Sequence, residues 1–162
     1  MSILDKFTLL YKTIRDGFGA GDFHSKCDGH ENALTILKAR ESSFIFGAFT
    51  SVAWQSISHQ YKCDENAFLF SLTNKENRPR KMKIDENKCR SAVYSSPRYG
   101  PTFGGDHDIY IANNANSRTS SYSNLGLTYS HPEYEYESNE AKSFLAGSYY
   151  FQLSKIEIYK ID

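Results

Sequence analysis

The chain has 162 residues and balances 19 Lys plus Arg against 19 Asp plus Glu, giving a formal net charge of zero. That balance argues against a nucleic-acid binder, which carries a clear basic excess, and no run of about 18 apolar residues offers a membrane-spanning helix. The length fits one domain able to bury roughly two-thirds of its unfolded surface, with 12 Tyr and 11 Phe among its side chains.

The start, Met1 to Lys6, lacks the charged opening and long apolar core of a signal peptide. Cys27, Cys63 and Cys89 are odd in number, widely spaced and contain no Cys-x-x-Cys pair. A disulfide framework is therefore not expected, and a reducing compartment is. No Asn-x-Ser/Thr acceptor occurs either, in keeping with a cytosolic chain.

Phe7 to Lys12 reads as a first strand stopped by Asp16-Gly17. Asp22 is placed to cap a short helix that sets Phe23 and Cys27 on one face, with Gly29 ending it. His24, Cys27 and His30 spell His-x-x-Cys-x-x-His, a partial zinc pattern without a fourth ligand. The simpler reading makes Cys27 a small buried apolar side chain, so no metal site is expected.

Leu34–Lys38 and Phe44–Phe49 read as consecutive strands, the second apolar on both faces as in a strand covered on both sides. Gly47 within it marks a bulge or a close backbone approach. Trp54 is expected in the core with its N–H satisfied. Gln55 to Asn66 is polar and reads as a surface loop, after which Ala67–Leu72 aligns Phe68, Phe70 and Leu72 on one face of a strand.

Lys75 to Arg90 holds seven basic and three acidic residues. No aromatic residues are interleaved for base stacking, so a solvated hairpin with an edge strand over Lys81–Ile84 is favoured over a nucleic-acid strip. The tract Asn113 to Ser121 is too poor in apolar residues to pack and reads as a mobile loop. His131 to Glu140 carries four glutamates and no Lys or Arg, a charge complement to the basic segment. Ser148–Leu153 alternates Tyr149, Phe151 and Leu153 on one face, and Lys155–Ile161 forms a last strand.

Between these lies the most unusual stretch, Ser96 to Ile111, in which two prolines and three glycines precede Asp106-His107-Asp108. Positive φ is expected at one or both of Gly104 and Gly105, followed by a strand with Ile109 and Ile111 on one face. Many short strands, frequent glycine turns and a few short helices together predict a mainly β protein. The expected fold is an antiparallel two-sheet β-sandwich flanked by a few short helices.

Several segments in order resemble the TLDc domain family. They include Arg15-Asp16-Gly17-Phe18, Phe46-Gly47-Ala48-Phe49 with Trp54, and Tyr99-Gly100-Pro101-Thr102-Phe103-Gly104-Gly105 followed by His107-Asp108-Ile109. Ser121 to Gly126, Phe144 to Ser148 and Ile156 to Tyr159 look like its closing elements. Gly19 stands where many members have Ser, and Asp106 where another Gly is common, which shifts the helix cap to Asp22 and leaves a turn that Asp tolerates. The resemblance implies a single TLDc domain over residues 1–162, excised from a longer protein. It also implies protection against oxidative stress and binding of the vacuolar-type proton ATPase.

On that basis the expectation is a non-catalytic, monomeric interaction domain without cofactor. It would be cytoplasmic and recruited to organelle membranes through its partner. A variant places it within a GTPase-activating or interferon-induced GTPase-like protein. The competing expectation is a redox or hydrolytic enzyme using Cys27 or the pair His107 and Asp108. Adjacent residues in a strand face opposite ways, which weighs against that pair. Gly100, Gly104, Gly105, His107, Asp108, Gly126 and Gly147 are the structural or partner-binding candidates.

Overall fold

The computed structural model describes residues 6–162, so the opening Met1 to Asp5, part of the stretch lacking a signal sequence, lies outside the described residues. The chain begins with β1 (Phe7–Lys12), α1 (Thr13–Asp16), α2 (Ala20–Cys27), β2 (Ala33–Ala39), β3 (Ile45–Thr50) and β4 (Gln60–Lys62). It continues through β5 (Phe68–Ser71), β6 (Arg80–Lys83), a 3-10 helix (Glu86–Ser91), β7 (Val93–Ser95) and β8 (Thr102–Phe103). Then come β9 (Ser121–Tyr122), α3 (Asn139–Phe144), β10 (Tyr150–Phe151) and β11 (Leu153–Ile161).

Six strands form one antiparallel sheet in the order β1-β11-β2-β3-β5-β6. The second layer combines β4-β7-β8 with β9-β10. Two bridges, Phe103 with Ile109 and Tyr110 with Tyr122, join those pieces. The expected sandwich is thus the observed one. Its core lies between the layers, where Phe46 meets Phe151 edge-on at 5.6 Å and Trp54 meets Phe23 and Phe103 at 5.2 and 5.3 Å.

Period-two patterning explains the inner faces. In β2, Ala33, Thr35, Leu37 and Ala39 are buried while Leu34, Ile36 and Lys38 are partly exposed. In β5 the same rule reverses the weight given to Phe68 and Phe70: they turn outward together, and Leu69 is the residue buried in the core. Phe68 stacks on Phe49 at 5.4 Å on that outer face, with the Lys81 ammonium 4.2 Å from its ring. Gly47 sits among these rings without a bulge. A Cβ there would lie 1.9 Å from the Thr35 carbonyl oxygen, so the close approach foreseen for it is the operative reason.

The two ends of the larger sheet differ. At one, β6 projects exposed Lys81 and Lys83; at the other, the β1–β11 register shifts between Leu9 and Tyr11. The basic and acidic segments do meet, through Arg80 to Glu133 at 2.8 Å.

Several expectations need correction. The polar stretch Gln55 to Asn66 contains β4, an edge strand of the smaller layer. The helix opens at Ala20, and Asp22 acts one turn in, accepting a hydrogen bond from the Gly19 amide at 2.9 Å. The Asn/Ser tract is held in place: Asn113 accepts from the Ala20 amide at 2.7 Å, and the carbonyl of buried Ala115 accepts from Leu153 N–H at 2.9 Å. Trp54 is fully buried, yet its indole N–H has no partner among the described residues.

Candidate functional site

The glycine corner follows β8. Phe103 and Ile109 exchange backbone hydrogen bonds at 2.9 and 3.1 Å and so close a loop over residues 104–108. Gly104 takes φ +91°, and Asp106 and His107 take +51° and +59°. Of the two glycines, Gly104 alone takes the left-handed conformation expected at one or both of them. Asp and His enter this region more readily than bulkier residues.

Asp108 explains why the loop holds. Its side chain is fully buried, and its Oδ2 accepts hydrogen bonds from the amides of Thr128 and Tyr129 at 3.0 Å each and Gly126 at 3.2 Å. Burial pushes its acid up to about 7, although these amide donors pull the other way. Gly105 N–H donates to Thr128 Oγ1 at 2.9 Å, and Asn124 Nδ2 donates to the Asp106 carbonyl at 2.6 Å. The corner and the 124–129 segment are therefore one hydrogen-bonded unit. Gly126, at φ +115°, belongs to it through its amide bond to Asp108, and a Cβ there would lie 2.9 Å from the Tyr136 backbone. Gly100 borders the unit, its amide donating to Ile111 at 2.8 Å. Gly147 does not: it closes α3 and abuts Ser42 on another part of the surface.

His107 faces the opposite way from Asp108. Its ring lies 4.8 Å from Tyr94, 5.8 Å from Tyr110 and 6.3 Å from Tyr99 and Tyr122. Burial among these rings lowers its pKa, and its Nδ1 has no partner among the described residues. The surrounding rings form a continuous series. Centroid distances run 4.8 Å from Tyr61 to Tyr94, 5.9 Å to Tyr99, 4.8 Å to Tyr110, 4.9 Å to Tyr122 and 5.6 Å to Tyr149. Tyr150 follows at 4.7 Å, and it and Tyr61 are 56% and 44% exposed.

The face has a simple origin. Strands of the smaller layer turn Val93, Ile109, Ser121 and Phe151 inward, leaving Tyr94, Tyr110, Tyr122 and Tyr150 on the outside. Tyr149 leaves the shared face expected with Phe151 and Leu153 and stacks on Tyr122 instead. The sequence reading singled out His107 and missed the tyrosines around it. The signal for them is a Tyr beside each small or apolar inward residue; Tyr61 has none, because its polar neighbours Gln60 and Lys62 give β4 the pattern of a loop.

The residues considered for catalysis do not converge. Cys27 is fully buried, and burial together with Asp28 and Asp16 raises its thiol pKa. Asp108 points into the fold and His107 out of it. His24 is engaged at both ring nitrogens, by Asp28 Oδ1 at 2.7 Å and the Ser96 carbonyl at 2.8 Å, so neither is free for the metal that the His-x-x-Cys-x-x-His pattern would hold. No group of three or more metal-ligating side chains forms among the described residues.

A two-sheet sandwich with a locked glycine corner and a tyrosine-lined outer layer defines a β-sandwich domain built around its signature loop. A family model of the TLDc domain matches residues 2–162, and the chain belongs to that family. No curated protein matches it.

Proposed function

We propose that this chain is a non-catalytic protein-interaction domain that engages its partner through the tyrosine face. The observation that carries the proposal is the unbroken series of rings from Tyr61 to Tyr150, anchored at its centre by His107. Tyrosine offers a large, stiff contact area with a polar tip and is enriched where protein interfaces concentrate their binding energy. A rigid corner fixes the loops that border it.

The family resemblance supplies the partner, the vacuolar-type proton ATPase, and a role in protection against oxidative stress. The domain acts as a monomer in the cytoplasm, is recruited to organelle membranes by that partner, and forms one unit of a longer protein. Recombinant protein should co-purify with the ATPase of its own organism. Tyr61→Ser with Tyr150→Ser should weaken that association more than tenfold, a hot-spot effect, while leaving the thermal midpoint unchanged. Absence of association, or association indifferent to both substitutions, refutes the proposal.

A further inference from the structure

Two sulfur atoms meet just past the end of β4, the strand that carries Tyr61. Cys63 Sγ lies 2.7 Å from Cys89 Sγ, closer than unbonded sulfurs ordinarily rest, though both are free thiols. Cys63 follows β4 and is exposed; Cys89 sits in the 3-10 helix and is partly buried. Their separation of 26 in sequence is closed by the fold, because Asp64 N–H donates to the Cys89 carbonyl at 3.1 Å.

Both segments are held before any bond forms. The Asp64 carboxylate accepts from Thr50 Oγ1 at 2.8 Å, the Ser51 amide at 2.7 Å and the Asn66 amide at 2.9 Å. On the other side, Ala92 N–H donates to the Cys89 carbonyl at 3.1 Å. A disulfide demands that two cysteines be presented within a narrow range of geometries, and here the backbone already brings the pair together.

We propose that Cys63 and Cys89 are a modification site that closes into a reversible disulfide when the domain meets a peroxide. One thiolate attacks the peroxide oxygen, giving a sulfenic acid and a hydroxide; the second thiolate attacks that sulfur and expels another hydroxide, and the two protons shed by the thiols convert both hydroxides to water. Two thiols and one hydrogen peroxide thus become one disulfide and two waters, with sulfur oxidised and peroxide oxygen reduced. A dithiol reductant reverses the step by exchange. The proposal does not rest on the tyrosine face or on the partner assigned to it.

The bond would tie the end of β4, in the smaller layer, to the helix leading into β7, enclosing β5 and β6 in the loop. Cys27 takes no part, being fully buried. Contact with Cys89 and burial push the Cys63 thiol up to about 11, so oxidation should quicken as pH rises.

The test treats the full chain with hydrogen peroxide and follows its intact mass without reductant. The expected product is a monomer lighter by about 2 Da, the two hydrogens lost in forming a disulfide. Peptide mapping should join Cys63 to Cys89, and dithiothreitol should restore the mass. Closure should raise the thermal midpoint by roughly 5–10 °C, as expected for a loop of this length. Cys63→Ser and Cys89→Ser should each abolish the change, whereas Cys27→Ser should not. Over-oxidation of Cys63 without a link, a link through Cys27, a disulfide between two chains, or a linked chain with no gain in midpoint would overturn the proposal.

Discussion

A Cβ placed on Gly104 would lie 2.1 Å from Oδ1 of Asp108. The glycine is thus required twice, for its φ of +91° and for the space that the buried carboxylate takes. Gly104→Ala should lower unfolding free energy by about 2–4 kcal/mol, from strain and overlap together. Gly105→Ala meets only ordinary contacts, the nearest at 3.4 Å, and should stay within about 0.5 kcal/mol of the parent. Urea denaturation of the two variants gives the comparison; equal losses would contradict the account of the corner.

Asp108→Ala should be costlier. It strands the amides of Gly126, Thr128 and Tyr129, the last two buried, and should cost about 3–5 kcal/mol. Asp108→Asn keeps an acceptor oxygen and should cost less. The pH dependence has a definite sign. The folded acid is raised from 3.8 to about 7, so its contribution is full below the unfolded value and is lost as pH rises through the folded one. The advantage of the parent over Asp108→Asn should therefore shrink between pH 5 and pH 8 in denaturation series, in water buffered at about these values.

His131 should behave in the opposite sense. Its Nδ1 accepts from the amides of Glu133 and Tyr134 at 2.9 and 3.2 Å, and its ring packs 4.2 Å from Tyr134 and 4.5 Å from Phe144. Burial lowers its pKa below 6.5. A depressed histidine contributes stability that is present above its unfolded value and is lost as pH falls through the folded one. The difference in thermal midpoint between the parent and His131→Gln should narrow as pH is lowered from about 7.5 to about 5. A difference that widens would show that the ring is charged in the fold.

The three thiols should separate by accessibility. Cys63 is exposed and Cys27 fully buried, so a bulky disulfide reagent should label Cys63 in the native protein and Cys27 only after unfolding. Native labelling of Cys27 at a comparable rate would show that its thiol is within reach of solvent.

Much of this architecture was legible beforehand because strand alternation follows directly from the backbone. β1 was read with its observed limits, and β11 and the edge strand β6 were found where the patterns of Ile156, Ile158 and Met82 put them. The failures have physical causes. β4 carries Gln60, Tyr61 and Lys62, whose exposure on an edge erases the apolar signature of a strand. The Asn/Ser tract gains its order from distant groups, Ala20 and Leu153, that local composition cannot register. Period two also assigns Phe68 and Phe70 to one face without saying which way that face points. At the site, the glycine-rich bend with its Asp-His-Asp stands out in the sequence, but the meeting of seven tyrosines depends on strand order, which no local pattern encodes.

The unlike ends of the six-stranded sheet bear on how crowded copies of this domain behave. Lys81 and Lys83 set like charges along one border, while the displaced register at Leu9 and Tyr11 bends the other away from straight pairing. Neither border invites a neighbour's strand to continue the ladder, which guards against runaway growth into fibres. Molecules of this shape are left to meet others broadside, across the aromatic surfaces of the two layers.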